Sequence, residues 1–178
     1  MININKPDKK IIYIAGPLFS EHERSFLLRI EEVLYQMLDM VDKYEIWKNQ
    51  KNGLKNNSIC FIPHRDAGDV GTIDLERNEI FHADIFAIDN VKILIAVLDG
   101  ADVDSGTSVE LGYAYAKGDK KIFGLLTDRR YWRENNTSAG TKIYGLNNMI
   151  WGVCMSNGRV FNSIQSLIPE VIEYLKRM

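Results

Sequence analysis

The sequence predicts an α/β fold, an open parallel sheet of about five strands flanked by helices. Three observations carry this expectation. Strand-like and helix-like segments alternate along the chain, the pattern of strands joined by covering helices. The run Val91–Leu98 (VKILIAVL) is almost continuously apolar, as suits a central parallel strand buried on both faces. No internal repeat or low-complexity linker interrupts the alternation.

Taken in order, Ile11–Ala15 is a short β-rich run closed by Gly16-Pro17. Ser20 followed by Glu23 reads as a capping box. Behind it Phe26, Ile30, Val33, Leu34, Met37 and Leu38 recur at helical spacing. The Lys- and Asn-rich stretch 43–57 reads as a surface excursion, and Ile59–Pro63 as a second strand. A second helix is expected from Thr72 or Asp74, with Leu75, Ile80, Phe81, Ile85 and Ile88 as its apolar face and Asp89-Asn90 at its end. After the strand at 91–98 comes an acidic loop, 99–105, then a helix from about Gly106 to Lys117 with Gly118 as its C-terminal cap. Lys121–Leu126 is the fourth strand, and Lys120-Lys121 reads as its solvated entry. The polar stretch 127–146 is long for a compact domain, which marks a surface excursion or a functional flap. Ile150–Met155 is read as the fifth strand, and Ser163–Arg177 as a closing amphipathic helix that includes Pro169 and so could start nearer Ile168 than Ser163. The whole is a flavodoxin/Rossmann-like arrangement.

The 178 residues fit one domain with a real core. A net charge of −2 leaves no electrostatic footprint for nucleic acid. Cys60 and Cys154 are far apart in apolar runs, so a zinc site is unsupported and buried free thiols in a reducing cytosol are expected. Met1–Lys10 is polar and lacks the apolar core of a signal peptide, and no apolar run approaches a membrane span. A cytoplasmic location follows as the expectation.

Ligands of open parallel sheets bind outside the carboxyl ends of the strands. Those ends carry Gly16, Pro17, Leu18 and Phe19; Pro63, His64, Arg65 and Asp66; and Asp99, Asp102 and Asp104 ahead of Ser105-Gly106-Thr107 and Glu110. Asp84 lies on the preceding helix. Carboxylates around a cleft suit glycosyl chemistry, in which one attacks or stabilises the anomeric carbon and another protonates the leaving group. Glu110, close to a helix N-terminus, is placed where the dipole favours the anion. Asp84 and Asp104 are candidates for the acid, which needs burial or a like-charged neighbour. The same residues also fit a solvated, capped turn with Glu110 facing water. Arg65 and Asp66 could read a ligand or pair with each other.

These residues resemble the nucleoside 2-deoxyribosyltransferase family. The resemblance is carried by Ile12–Phe19 (IYIAGPLF), Phe61-Ile62-Pro63 with Asp66, Asp84, the strand Lys92–Leu98, Asp104–Ala114 (DSGTSVELGYA) and Asn147–Gly152. It covers roughly residues 11 to 152 and implies a single domain of that family over 1–178. By resemblance, Glu110 is the nucleophile that forms a deoxyribosyl ester, Tyr13 orients it, Asp84 is the proton donor near the base and Asp104 holds sugar hydroxyls. Gly16, Pro17, Phe19, Asp66 and Gly106 fall where the family binds substrate. Asn147 corresponds to a residue reaching a neighbouring subunit's site, which implies a homo-oligomer. No metal or organic cofactor is implied. The partners implied are a deoxynucleoside and a free nucleobase, and a nucleoside needs no basic footprint because it carries no phosphate.

The implied reaction is a double displacement between bases with net retention. A rival reading is a 2′-deoxynucleoside 5′-monophosphate N-glycosidase, which shares the fold and the Glu but needs phosphate donors near the first loop. Only Ser20 and Arg24 stand there. A phosphoacceptor receiver module is a further rival, but Gly16-Pro17 cannot supply the acidic pair it needs after the first strand.

Overall fold

The computed structural model describes residues 10–40, 58–68, 77–132 and 145–178. The polar stretch expected as a surface excursion at 43–57 lies outside them, as does the helix start expected at Thr72 or Asp74.

Five strands form one sheet: β1 (Ile12–Ala15), β2 (Cys60–Phe61), β3 (Ile93–Val97), β4 (Lys121–Leu125) and β5 (Gly158–Phe161). Their order is β2-β1-β3-β4-β5, and every neighbouring pair is parallel. The predicted open α/β sheet is therefore present. The strand order reverses between β1 and β3, β2 being added on one side of β1 and β3 on the other, so the carboxyl ends of β1 and β3 flank the switch point where such sheets open a crevice.

Alternation along the strands sorts the core into two layers. Ile12, Ile14, Ile93, Ile95 and Val97 point to one face, which is covered by α1 (Glu21–Met40) and α6 (Ile164–Arg177). Tyr13, Ala15, Leu94, Ala96 and Leu98 point to the other. That face is covered by α3 (Arg77–Asn90), α4 (Ser105–Lys117) and α5 (Asn148–Asn157). The same period of two that buries Ile12 and Ile14 on one side thus sends Tyr13 to the side of α3 and α4.

Local chemistry fixes the helix ends. The predicted capping box forms: Ser20 N–H donates to Glu23 Oε2 at 2.7 Å, and Glu23 N–H donates to Ser20 Oγ at 3.2 Å. Asp104 caps α4 by accepting from Thr107 N–H at 2.9 Å, and Gly118 closes it in the left-handed conformation at φ 74°. Ser163 caps α6, which accommodates Pro169 within it.

Two sequence expectations are corrected. Ile150–Met155 is helical, part of α5, and the fifth strand is Gly158–Phe161. A short apolar run does not by itself separate strand from buried helix. Here Asn147 accepts from Met149 N–H at 2.9 Å and starts a helix, whose Cys154 then faces the sheet. The second strand is also shorter than expected, because Pro63 opens a four-residue helix, α2 (Pro63–Asp66).

Lys120 is a further departure. It is fully buried rather than solvated. Its ammonium donates to the carbonyls of Val91 at 3.1 Å and Asp89 at 3.3 Å and pairs with Asp119 at 3.0 Å. It thereby satisfies carbonyls at the carboxyl end of α3 that would otherwise lack partners. Cys60 and Cys154 are buried and free, and burial pushes the Cys154 thiol up to about 12.

The β4–β5 pair depends on close backbone approach. A Cβ on Gly158 would lie 1.4 Å from the Ile122 carbonyl oxygen, a backbone atom that cannot turn aside. Gly158→Ala is therefore expected to destabilise the fold by about 3 kcal/mol or more, at the upper end for overpacking, read as a fall in the urea midpoint. An unchanged midpoint would contradict the packing of β5 on β4.

Candidate active site

Within β1, Tyr13 is completely buried, its ring stacked on Phe61 at 5.3 Å between centroids. Its hydroxyl donates to Glu110 Oε1 at 2.6 Å. Glu110 is in place because α4 packs on the sheet through Thr107, Leu111 and Ala114. Spacings of four and three put these on one stripe, and Glu110 lies at its edge. On α3, Asp84 occupies an inward position one turn from both Ile80 and the buried Ile88. Its carboxyl lies beside the Tyr13 hydroxyl, which is committed to Glu110, and its Oδ1 is buried with no hydrogen-bond partner among the described residues. Such an atom is costly to leave unpaired, which marks it as a group awaiting a donor or acceptor.

Electrostatics differ from the sequence expectation for Glu110. Burial, opposed by the Tyr13 hydrogen bond and reinforced by the charges of Asp84 and Asp104, pushes its carboxyl up to about 8. The helix dipole does not hold it ionised, because Glu110 is the sixth residue of α4, beyond the first turn where that effect concentrates. Asp84 is pushed up to about 6, again by burial, with Tyr13 pulling the other way. Burial, then the neighbouring Glu110 and Asp84, hold the Tyr13 phenol well above its ordinary range. The three groups share protons at one end of the sheet and titrate as a set.

Asp104 stands at the N-cap of α4, half-buried, with Oδ2 accepting from Thr107 N–H and, at 3.1 Å, from its hydroxyl. Gly106 follows because a Cβ there would lie 3.1 Å from that same oxygen. Gly16 has a structural reason of its own: a Cβ would meet Leu27 at 2.6 Å and Val97 at 3.0 Å. Beyond it, Pro17 is half-buried and Phe19 is 75% exposed. An aromatic ring offered to solvent at a strand's carboxyl end is a candidate platform for a planar ligand.

Asp66 and Asn147 are occupied by local bonds. Asp66 accepts from Ile62 N–H at 2.8 Å and pairs with Arg65 at 2.8 Å, so of the two readings of that pair the structural one is realised. Arg65 also reaches Glu31 at 2.6 Å. Asn147 caps α5 and is exposed. The neighbouring His64 is buried.

Asp99 and the start of the stretch 127–146, which sequence spacing does not connect, meet in one bonded cluster. Asp99, at the end of β3, accepts from Thr127 N–H and the Thr127 hydroxyl, both at 2.5 Å. Asp128, after β4, accepts from Gly100 N–H at 3.1 Å and from the Arg130 guanidinium. Arg130 is 8% exposed and also donates to the Leu98 carbonyl. The first residues of the stretch 127–146 are therefore tied into the sheet end, whereas 133–144 lie outside the described residues. The available signal was an arginine flanked by acids and aromatics, which reads equally well as solvated.

The described residues contain no group of three or more His, Cys, Asp or Glu able to hold a metal, and no helix long and apolar enough to cross a membrane.

The molecule is thus a doubly wound α/β protein with a tyrosine-linked carboxylate cluster at its switch point. It belongs to the nucleoside 2-deoxyribosyltransferase family, whose family model matches residues 12–163. An uncharacterised protein of Ureaplasma parvum is 29% identical over 95% of this chain and 99% of its own length. A conserved protein of Enterococcus faecalis superposes with a TM-score of 0.69 at 26% identity, over 94% of this chain and 99% of that one. A 2-desoxiribosyltransferase from Leishmania mexicana shares the fold, with a TM-score of 0.58 at 21% identity over 92% of this chain and 97% of that one. The resemblance expected from the sequence is confirmed, and the activity class it supports is deoxyribosyl transfer or glycosidic cleavage.

The raised Glu110 carboxyl has a measurable consequence. Folded Glu110 binds its proton more tightly than the unfolded chain, so the fold loses stability as pH rises from about 4.5 through about 8. Glu110→Gln removes that penalty. The variant is expected to melt a few degrees above the parent at pH 8.5, with the gap closing toward pH 4.5. A gap independent of pH would place the titration elsewhere.

Proposed function

We propose that the protein transfers 2-deoxyribose between nucleobases by a retaining double displacement through a deoxyribosyl ester of Glu110. The observation that carries this reading is the 2.6 Å bond from the Tyr13 hydroxyl to Glu110 Oε1. A buried phenol aims one carboxylate oxygen and leaves the other to approach C1′ of the sugar. Asp84, with its unpartnered buried Oδ1, protonates the departing base and recovers the proton when the acceptor base attacks. Asp104 holds a sugar hydroxyl through the oxygen that does not cap α4, and the exposed Phe19 with Gly16, Pro17 and Gly106 forms the base side of the site, braced by Asp66 through its bonds to Ile62 and Arg65. The two displacements occur on opposite faces of C1′, which gives retention.

Nucleophilic attack needs Glu110 ionised, and leaving-group protonation needs Asp84 neutral. The set titrates near 6 and near 8, so kcat/KM should follow a bell with those two apparent values. Because Glu110 holds its proton more tightly than Asp84, the productive form is the minority one in the free enzyme. Tyr13→Phe removes the bond that lowers Glu110, and should move the upper limb to higher pH with a kcat loss of about 100-fold, the scale for removing one aimed donor.

A nucleoside rather than a 5′-nucleotide is supported by the first loop. Ser20 and Glu23 cap one another there, Glu21 and Glu23 place negative charge in the first turn of α1, and Arg24 donates to the Leu18 carbonyl at 2.9 Å. A phosphate would meet a helix terminus already filled by a carboxylate. Asn147, exposed at the start of α5, supports the homo-oligomer in which it reaches a neighbouring site.

Incubation with deoxyinosine and adenine should yield deoxyadenosine, and Glu110→Ala should abolish it. Free sugar released at one rate with and without acceptor base would leave the hydrolase in place of the transferase, as would a strong preference for a 5′-phosphorylated substrate.

A further inference from the structure

We propose that Arg130 is a positioning residue for the carboxylate cluster, holding the β3–α4 loop from the far side of the sheet end. This inference rests on the proposed role of Glu110. Two loops leave the carboxyl ends of adjacent strands here, and each supplies the acid that the other loop's donors need. Asp99 of the β3 loop accepts from Thr127 N–H and hydroxyl and from Asp128 N–H at 3.2 Å. Asp128 of the β4 loop accepts from Gly100 N–H of the β3 loop.

Arg130 closes this lacing. Its Nε lies 3.1 Å from both Asp128 oxygens, and its Nη2 donates to Asp128 Oδ2 at 2.8 Å and to the Leu98 carbonyl. A planar fork serves a carboxylate and a backbone carbonyl together, which an ammonium does with poorer geometry.

What the lacing holds is the start of the path to Glu110. Leu98 is fully buried beside the Tyr13 layer. Gly100 takes φ 129°, a conformation other residues rarely adopt, and a Cβ there would lie 2.9 Å from the Asp102 carbonyl oxygen. Four residues on, Asp104 caps α4, and one and a half turns later the helix presents Glu110. A 3-10 turn (Arg129–Trp132) carries Arg130, and its Tyr131 packs in the same apolar layer as Val103. The loop between β3 and α4 is thus fixed by bonds from β4 as well as by its own cap.

The test uses Arg130→Lys, Arg130→Met and Thr127→Val, the last removing one hydroxyl from the lacing without touching the cation. The readouts are kcat and KM separately, thermal unfolding, and the pH window over which the fold loses stability. Groups facing Glu110 are Tyr13 from β1, Asp84 from α3 and Asp104 from its own helix. Loosening the loop shifts the start of α4 and with it Glu110, and a weakened Tyr13 bond raises the Glu110 titration. Expected for Arg130→Met is a kcat loss of at least tenfold with KM changed less than threefold, and a stability window shifted to higher pH. Arg130→Lys should recover part of both, and Thr127→Val should shift both slightly in the same direction. Lowered melting temperature with kcat and the pH window unmoved would overturn the proposal in favour of plain structural support. If the chain proves to have no transferase activity, the shift in the stability window still decides the positioning claim without catalysis.

Discussion

The bond between the Tyr13 hydroxyl and Glu110 is the constraint on which the site depends. It joins the sheet to the helix that packs on it, and it exists only because several independent choices agree. Tyr13 must fall on the α4 face of β1, so the register of the apolar alternation cannot slip by one residue. Its phenol must be buried yet paired, and the stacking on Phe61 fixes the ring while Glu110 accepts its hydrogen bond. The helix must start where Asp104 caps it, so that the sixth residue and not its neighbour reaches the hydroxyl. The exposed Val109 and the fully buried Leu111 on either side show how sharply that phase is set.

Burial explains the chemistry of the cluster as much as its position. Two carboxyl groups and a phenol are gathered between the sheet and the helices α3 and α4, where charge is poorly solvated. The protein tolerates this because Tyr13 supplies one strong hydrogen bond and because the groups can hold protons in place of charge. A substrate that fills the crevice and pairs with the unpartnered Asp84 oxygen relieves that penalty.

Elsewhere the fold uses buried charge for anchoring. Lys120 at the amino end of β4 ties off carbonyls at the end of α3, and Arg130 beyond its carboxyl end ties the β3 loop. The same strand is fixed at both ends by a cation on backbone oxygen, and it is the strand whose middle glycine, Gly124, admits Leu98 and Cys154 at close range. These features hold α3 and α4, the two helices that bring Asp84 and Glu110 to Tyr13.

The sequence by itself determined the alternation of strands and helices as far as β4, the parallel sheet, the capping box at α1 and the cap at Gly118, and its resemblance to a family singled out Tyr13, Asp84, Asp104 and Glu110. These were legible because each depends on local periodicity, on turn chemistry or on a motif of fixed spacing. It did not determine the nature of 150–155, because a short apolar run suits a strand and a buried helix equally, and only the Asn147 cap and the packing of Cys154 on the sheet chose the helix. Nor did it determine that Lys120 and Arg130 are buried, since a charged residue beside other charged residues reads as solvated until carbonyls from distant segments close around it. The ionisation of Glu110 was likewise a tertiary outcome. Its place near a helix start argued for the anion, but enclosure by the sheet, Asp84 and Asp104 outweighs a dipole that has faded by the sixth residue.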